Sequence, residues 1–113
     1  METRVERDRD GALRVSTVVD LGVGRRELRI ETFKFSGIIK CRASAVTVSE
    51  DGMGYSCRIS YAGDRSGDYY KELARSGVRA TEKNLRAVHA AGMEKFDAVM
   101  AEVRDWYGIK EAA

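Results

Sequence analysis

Few side chains in this sequence are suited to covalent or metal chemistry: one histidine, His89, and two cysteines, Cys41 and Cys57. A histidine serves as base or metal ligand, and a cysteine as nucleophile, only when neighbours tune it. His89 falls on the apolar stripe of a long helical pattern. No cysteine or carboxylate stands at ligand spacing from it there, so it reads as a core or rim histidine. Cys41 and Cys57 sit among small, uncharged residues with nothing to lower a thiol pKa, and both read as buried packing residues. Gly22-Val-Gly24 and Gly52-Met-Gly54 look like phosphate loops, but each leads into a strand and lacks the helix dipole such loops use. Gly63-Asp-Arg-Ser-Gly67 precedes a helix-compatible stretch and is the better anion-site candidate. Asp20, Glu27 and Glu31 lie beside arginines, without the apolar pocket that splits the pKa values of an acid–base pair. No reaction class follows. The expectation is a protein that is not an enzyme and needs no metal or cofactor.

The elements that must position these residues belong to a chain of 113 residues, room for one domain. Apolar residues make up 43% and charged residues 34%, which argues against both a disordered and a membrane protein. No apolar run nears the roughly 18 residues of a spanning helix, and the charged N-terminus has no secretory apolar segment. The expected location is the cytoplasm, with both thiols free. Net charge is +2, too balanced overall for an obvious polyanion binder. Proline is absent, so glycine and polar residues must make every turn.

Residues 1–10 mix both charge signs around one valine and are expected to form a disordered arm, leaving 11–113 as a single α+β domain. Leu13 to Leu21 alternates, with Val15, Thr17 and Val19 on one face, and Arg25 to Thr32 alternates with Leu28, Ile30 and Thr32. A two-residue turn at Gly22-Val23 would pair Val15 with Ile30 and Thr17 with Leu28. It would also set Arg14 against Glu31 and Asp20 against Arg25. Phe33 and Phe35 fall out of phase, which a bulge or a strand end near Ser36-Gly37 explains. Ile38 to Val48 and Tyr55 to Tyr61 read as the third and fourth strands around the turn Asp51-Gly52-Met53. That register sets Cys57 opposite Thr47, roughly 20 Å from Cys41 and out of disulfide range. Residues 69–75 carry enough helix formers for a short helix. From Thr81 to Gly108, Leu85, Val88, His89, Gly92, Phe96, Val99, Val103 and Trp106 recur at helical spacing. Glycine inside a helix costs about 1 kcal/mol against alanine. Close approach of Gly92 to the small residues Ala43 and Ala45 would explain it. The predicted fold is a four-stranded antiparallel β-meander with one long C-terminal α-helix packed on one face.

On the other face, Arg14, Arg25, Arg29, Lys40, Arg42 and Arg58 outnumber Asp20, Glu27 and Glu31. Phe33, Phe35, Val18, Val46 and Val48 place apolar surface among these charges, a mixture typical of protein interfaces. The candidate binding residues are therefore Arg14, Arg29, Lys40, Arg42, Arg58, Phe33, Phe35, Val46 and Val48. Arg42 and Arg58 have serine, alanine and valine as neighbours, so reversing their charge is expected to cost no more than about 0.5 kcal/mol. A second basic cluster, Arg75, Arg79, Lys83 and Arg86, runs into the long helix and could contact phosphates. An open sheet face also offers a homodimer surface.

In size and make-up, through no particular motif, the chain resembles the small accessory proteins of phages and plasmids, anti-CRISPRs among them. That resemblance implies a compact module that occludes a surface of a larger protein or nucleoprotein machine, and it carries no residue roles. The leading expectation is thus a non-enzymatic, inhibitor-like binding module without membrane contact. The alternative is direct nucleic-acid binding by the basic sheet face. Salt separates them, because phosphate-driven binding weakens steeply with ionic strength.

Overall fold

The computed structural model describes residues 2–22, 24–48, 54–55 and 69–109. Among these residues an antiparallel sheet carries two helices on one face, an α+β architecture. The strands are β1 (Thr3–Arg7), β2 (Leu13–Asp20), β3 (Arg26–Phe35), β4 (Ile38–Val48), a two-residue β5 (Gly54–Tyr55) and β6 (Tyr70–Ser76). The helices are α1 (Glu82–Met93) and α2 (Phe96–Tyr107). Strands β1 to β4 lie in chain order. The second edge of β4 is shared end to end, β5 pairing at Thr47 and Val48 and β6 along Ile39 to Ser44. No described helix is long and apolar enough to cross a membrane.

The sheet is wider than the four-stranded prediction at both sides. Residues 3–7, expected to be disordered, pair with β2 from Thr3↔Thr17 to Arg7↔Leu13. Composition misleads here because an edge strand needs little apolar surface: only Val5 is half-buried, and the exposed charges suit an edge. The Asp8 carboxylate accepts from the amides of Asp10 and Ala12, and Gly11 takes a φ of +80°, so the following turn is locally encoded. On the far side, residues 70–76 are a strand rather than a short helix. The register slips between Cys41↔Ala74 and Arg42↔Glu72, leaving Leu73 as an extra residue. Leu73 and Ala74 consequently both turn toward the helices, which breaks the alternation that marks a strand.

Both predicted hairpin registers are off by two residues. Val15 pairs with Thr32 and Thr17 with Ile30, and the β2–β3 turn spans four positions, closed by Leu21 N–H donating to the Arg26 carbonyl at 3.0 Å. Val23 of that turn lies outside the described residues. Asp20 faces Glu27 instead of Arg25, whereas Arg14 still reaches Glu31, at 2.6 Å on a diagonal. Thr47 pairs with Tyr55 instead of Cys57. A slip of two preserves the faces, so Val15, Thr17, Leu28, Ile30 and Thr32 are buried as the alternation predicts. The rest of the expected fourth strand, with Cys57 and Arg58, and the Gly63–Gly67 segment lie outside the described residues. Phe33 and Phe35 need no bulge: β3 runs on to Phe35 and turns tightly at Ser36-Gly37, whose φ values of +51° and +80° match a two-residue type I′ turn.

The predicted single helix is two. Thr81 caps α1 by accepting from the Asn84 amide at 3.1 Å, and Gly108 ends α2 in the left-handed conformation. Between them the chain tightens at Glu94–Lys95, where Lys95 N–H donates to the Gly92 carbonyl and Lys95 Nζ to the Leu73 carbonyl of β6 at 2.8 Å. Gly92 does mark a close approach, but to Cys41 and Leu73, not to Ala43 and Ala45. A methyl group there would overlap the Cys41 sulfur and lie 3.1 Å from the Cys41 Cβ and 3.4 Å from the Leu73 Cβ. Gly92→Ala is therefore expected to lower stability by about 1–3 kcal/mol, against alanine's helix preference. Cys41→Ala, which removes the sulfur, should relieve part of that loss in the double variant. Urea denaturation of the four proteins tests this, and a stabilised Gly92→Ala would mean the helix is not held so close.

Candidate functional site

The face of the sheet away from the helices gathers charge and aromatic surface at one end. Strand pairing sets Phe33 beside Lys40 and Lys40 beside Arg75, and in the next row Glu31 beside Arg42 and Arg42 beside Glu72. Arg42 is the centre. Its guanidinium carbon lies 4.7 Å from the ring centroid of Phe35, 5.4 Å from Phe33 and 5.8 Å from Tyr70. Arg14 covers Phe33 at 4.6 Å, and the Lys40 ammonium stands 5.6 Å from the Phe35 centroid. Such contacts hold a cation by the ring quadrupole rather than by a carboxylate.

The carboxylates nearby are already engaged. Glu31 binds Arg14. Glu72 accepts from Arg75 at 2.9 Å on each oxygen and has Lys40 at 3.8 Å. The Arg75 hydrogen bonds, with Arg75, Lys40 and Arg42 as neighbouring charges, hold the Glu72 carboxyl below its usual range. Arg42 is left without a hydrogen bond or ion pair among the described residues, and its buried Nε is unsatisfied. Phe35 is 50% exposed and Tyr70 45% exposed. The result is an open aromatic platform with a guanidinium set between its rings.

Of the predicted binding residues, Arg14, Phe33, Phe35, Lys40 and Arg42 meet here. Arg29 stands two residues away on β3 and pairs with Glu27 at 3.1 Å. Val46, 8% exposed, is buried, and Val48 lies half-buried at the β5 end. Arg58 lies outside the described residues. The second basic cluster divides: Arg75 belongs to the platform, while Arg79, Lys83 and Arg86 flank the start of α1, Arg86 pairing with Glu82 at 3.2 Å. Sequence reasoning missed Tyr70 and Glu72 because it placed them on a helix. Tyr70, Glu72 and Arg75 do not keep a period of two across the bulge.

His89 and Cys41 lie on the opposite, buried side. His89 Nε2 hydrogen-bonds the Thr17 hydroxyl and Nδ1 the Thr32 hydroxyl, each at 2.8 Å. Thr17 also meets Thr3 at 2.8 Å, and Thr32 hydrogen-bonds the Cys41 thiol. Burial pushes the histidine pKa down and the thiol pKa up, the reverse of what a reactive thiol needs. Nearer the end of α2, the Tyr69 hydroxyl donates to Glu102 at 2.6 Å, beside a 2.9 Å Lys71–Glu102 ion pair. Burial and that carboxylate raise the phenol pKa, while Lys71 and Tyr69 lower that of Glu102. Trp106 meets Tyr69 edge-on, and the Tyr107 hydroxyl accepts from the Tyr69 amide at 3.0 Å. These aromatics dock α2. Among the described residues no group of three His, Cys, Asp or Glu side chains converges to hold a metal. Comparison with known proteins finds no matching family model, no similar curated protein and no similar solved structure, so the work of the platform has to be read from its own residues.

Two outcomes follow for stability. Because folding lowers the His89 pKa, the unfolded chain binds more protons below its ordinary value of 6.5. The histidine's contribution is therefore complete above that pH and is lost as pH falls through it. Urea denaturation should show a loss below pH 6.5 whose slope is smaller in His89→Gln. At the platform, charge reversal is not silent as the sequence suggested, since Arg42→Glu would set a third carboxylate beside Glu31 and Glu72 and take a cation from three rings. It is expected to cost about 1–3 kcal/mol, against less than about 1 kcal/mol for Arg42→Met, which keeps an apolar stem under the rings. Denaturant midpoints distinguish the two.

Proposed function

We propose that the protein is a non-enzymatic binding module for a nucleoprotein partner, and that its working surface is the Arg42 platform on the outer sheet face. The observation that carries this reading is the exposure of Phe35 and Tyr70 around a guanidinium that no carboxylate of the described residues pairs with directly. Exposed aromatic rings with arginine are the composition of binding hot spots, and a polar rim of Arg14, Lys40 and Arg75 surrounds them. Two of the chemically versatile side chains give separate support: His89 and Cys41 are buried among threonines on the helix side. A module of this kind acts by covering a surface of a larger assembly.

The test is capture from an extract of the source cell, with and without nuclease, on three immobilised proteins: the native chain, a Phe35→Ala/Arg42→Met variant, and an Arg79→Glu/Lys83→Glu variant. The expected result is a component held by the native chain and by the helix-start variant and lost from the platform variant. The opposite pattern would move the working surface to the start of α1.

A further inference from the structure

Resting on the reading of the platform as the working surface, we infer that what it contacts directly is a single-stranded polynucleotide. Three arguments favour this ligand. The first is shape. Phe33 and Phe35 on β3 and Tyr70 on β6 lie on either side of β4, and Phe35 and Tyr70 lean toward each other along it, their ring centroids 4.7 and 5.8 Å from the same Arg42 guanidinium carbon. Exposed rings on a sheet stack unpaired bases, whereas a duplex keeps its base faces inside the helix and is read by an element that enters a groove.

The second argument is charge. Arg14, Lys40, Arg42 and Arg75 give the platform four cations against the carboxylates of Glu31 and Glu72. Both carboxylates are bound to arginine already, and Glu72 also has Lys40 at 3.8 Å, so the surplus centres on Arg42, beside the rings. Phosphates following bases stacked on Phe35 and Tyr70 would run past these cations. The third is the unsatisfied donor. Arg42 Nε–H has no acceptor among the described residues, and its guanidinium lies between the exposed rings. Base carbonyls, ring nitrogens and phosphate oxygens are acceptors that a small shift of this side chain would reach, and a planar guanidinium both stacks and donates. An acidic protein surface would satisfy the charge but leave Phe35 and Tyr70 without a stacking partner.

The experiment measures binding of short labelled oligouridylate and oligothymidylate, and of a duplex of the same length, by fluorescence anisotropy to the full chain. Binding of a single strand in preference to the duplex supports the inference. The two single strands report whether RNA or DNA is preferred. Phe35→Ala and Tyr70→Ala should each weaken that binding about five- to a hundred-fold, as removal of one stacking ring does. Both rings are about half exposed, so these variants keep the fold, which a thermal melt checks. With two to four phosphates engaged, the log–log salt slope should fall near −1.4 to −2.8. Equal binding of duplex, or Phe35→Ala and Tyr70→Ala indistinguishable from the native chain, overturns the inference. If no strand binds, while a nuclease-resistant component is still captured by the native chain and lost from the platform variant, the partner is a protein: the polynucleotide is then wrong and the working surface stands. If neither measurement responds to Phe35, both fail.

Discussion

The His89 imidazole, hydrogen-bonded through both nitrogens to hydroxyls on β2 and β3, sets where α1 lies and which residues of those strands face each other. In the observed register Thr32 stands opposite Val15, two positions from Thr17, and one ring can bridge the two hydroxyls. In the register of a two-residue turn at Gly22-Val23, Thr32 would face Leu13, four positions from Thr17 and roughly 13 Å along the strand, beyond the reach of any single side chain. Apolar patterning cannot make that choice, because both registers bury the same face. A buried polar group left without a partner costs about 1–3 kcal/mol, and here either nitrogen would be stranded. Register, helix position and the close seat of Gly92 on Cys41 follow together, since Thr32 also binds the thiol that Gly92 covers.

This explains what could be read from the chain and what could not. Strands β2, β3 and β4, their buried faces, the Thr81 cap and the Gly108 stop are encoded locally by alternation and by capping residues. The two-residue hairpin slip was invisible because it changes no face. The β6 strand was invisible because its bulge gives Tyr70, Leu73 and Ala74 the spacing of a short helix. The helix break at Glu94–Lys95 was invisible because Lys95 is held by the Leu73 carbonyl, a long-range contact that no periodicity announces. Edge strand β1 gives little sign of itself because Val5 is its one residue packed against the core, and the rest of its pairing is with backbone and with Thr17.

The platform shows the same division. Phe33, Phe35, Lys40 and Arg42 were legible, since a sheet face is a period of two. Their relation to each other was not. Arg42 takes its character from Tyr70 and Glu72 on a strand some thirty residues further along the chain, and from the engagement of Glu31 and Glu72 by other arginines. Counting charges on a face gives a surplus of cations. Only the pairing shows that Arg42 makes no ion pair among the described residues, and that this cation is surrounded by rings.

The break between the helices has a consequence for how the protein opens. Helix α1 is fixed by a buried imidazole and by backbone pressed against Cys41. Helix α2 is fixed by Val99 and Val103 below it and, at its rim, by the Tyr69–Glu102 and Lys71–Glu102 bonds, whose Lys71 and Glu102 side chains are about half exposed. With the helical ladder interrupted at Lys95, lifting α2 need not disturb the hydrogen bonds of α1. Helix α2 is thus expected to open as a unit of its own, at the cost of exposing Val99 and Val103 and of parting Trp106 and Tyr107 from Tyr69, while the strands and α1 keep their hydrogen bonds. Its departure would free Tyr69, the residue next to Tyr70, so that fluctuation on one side of the sheet reaches the backbone that carries the platform on the other.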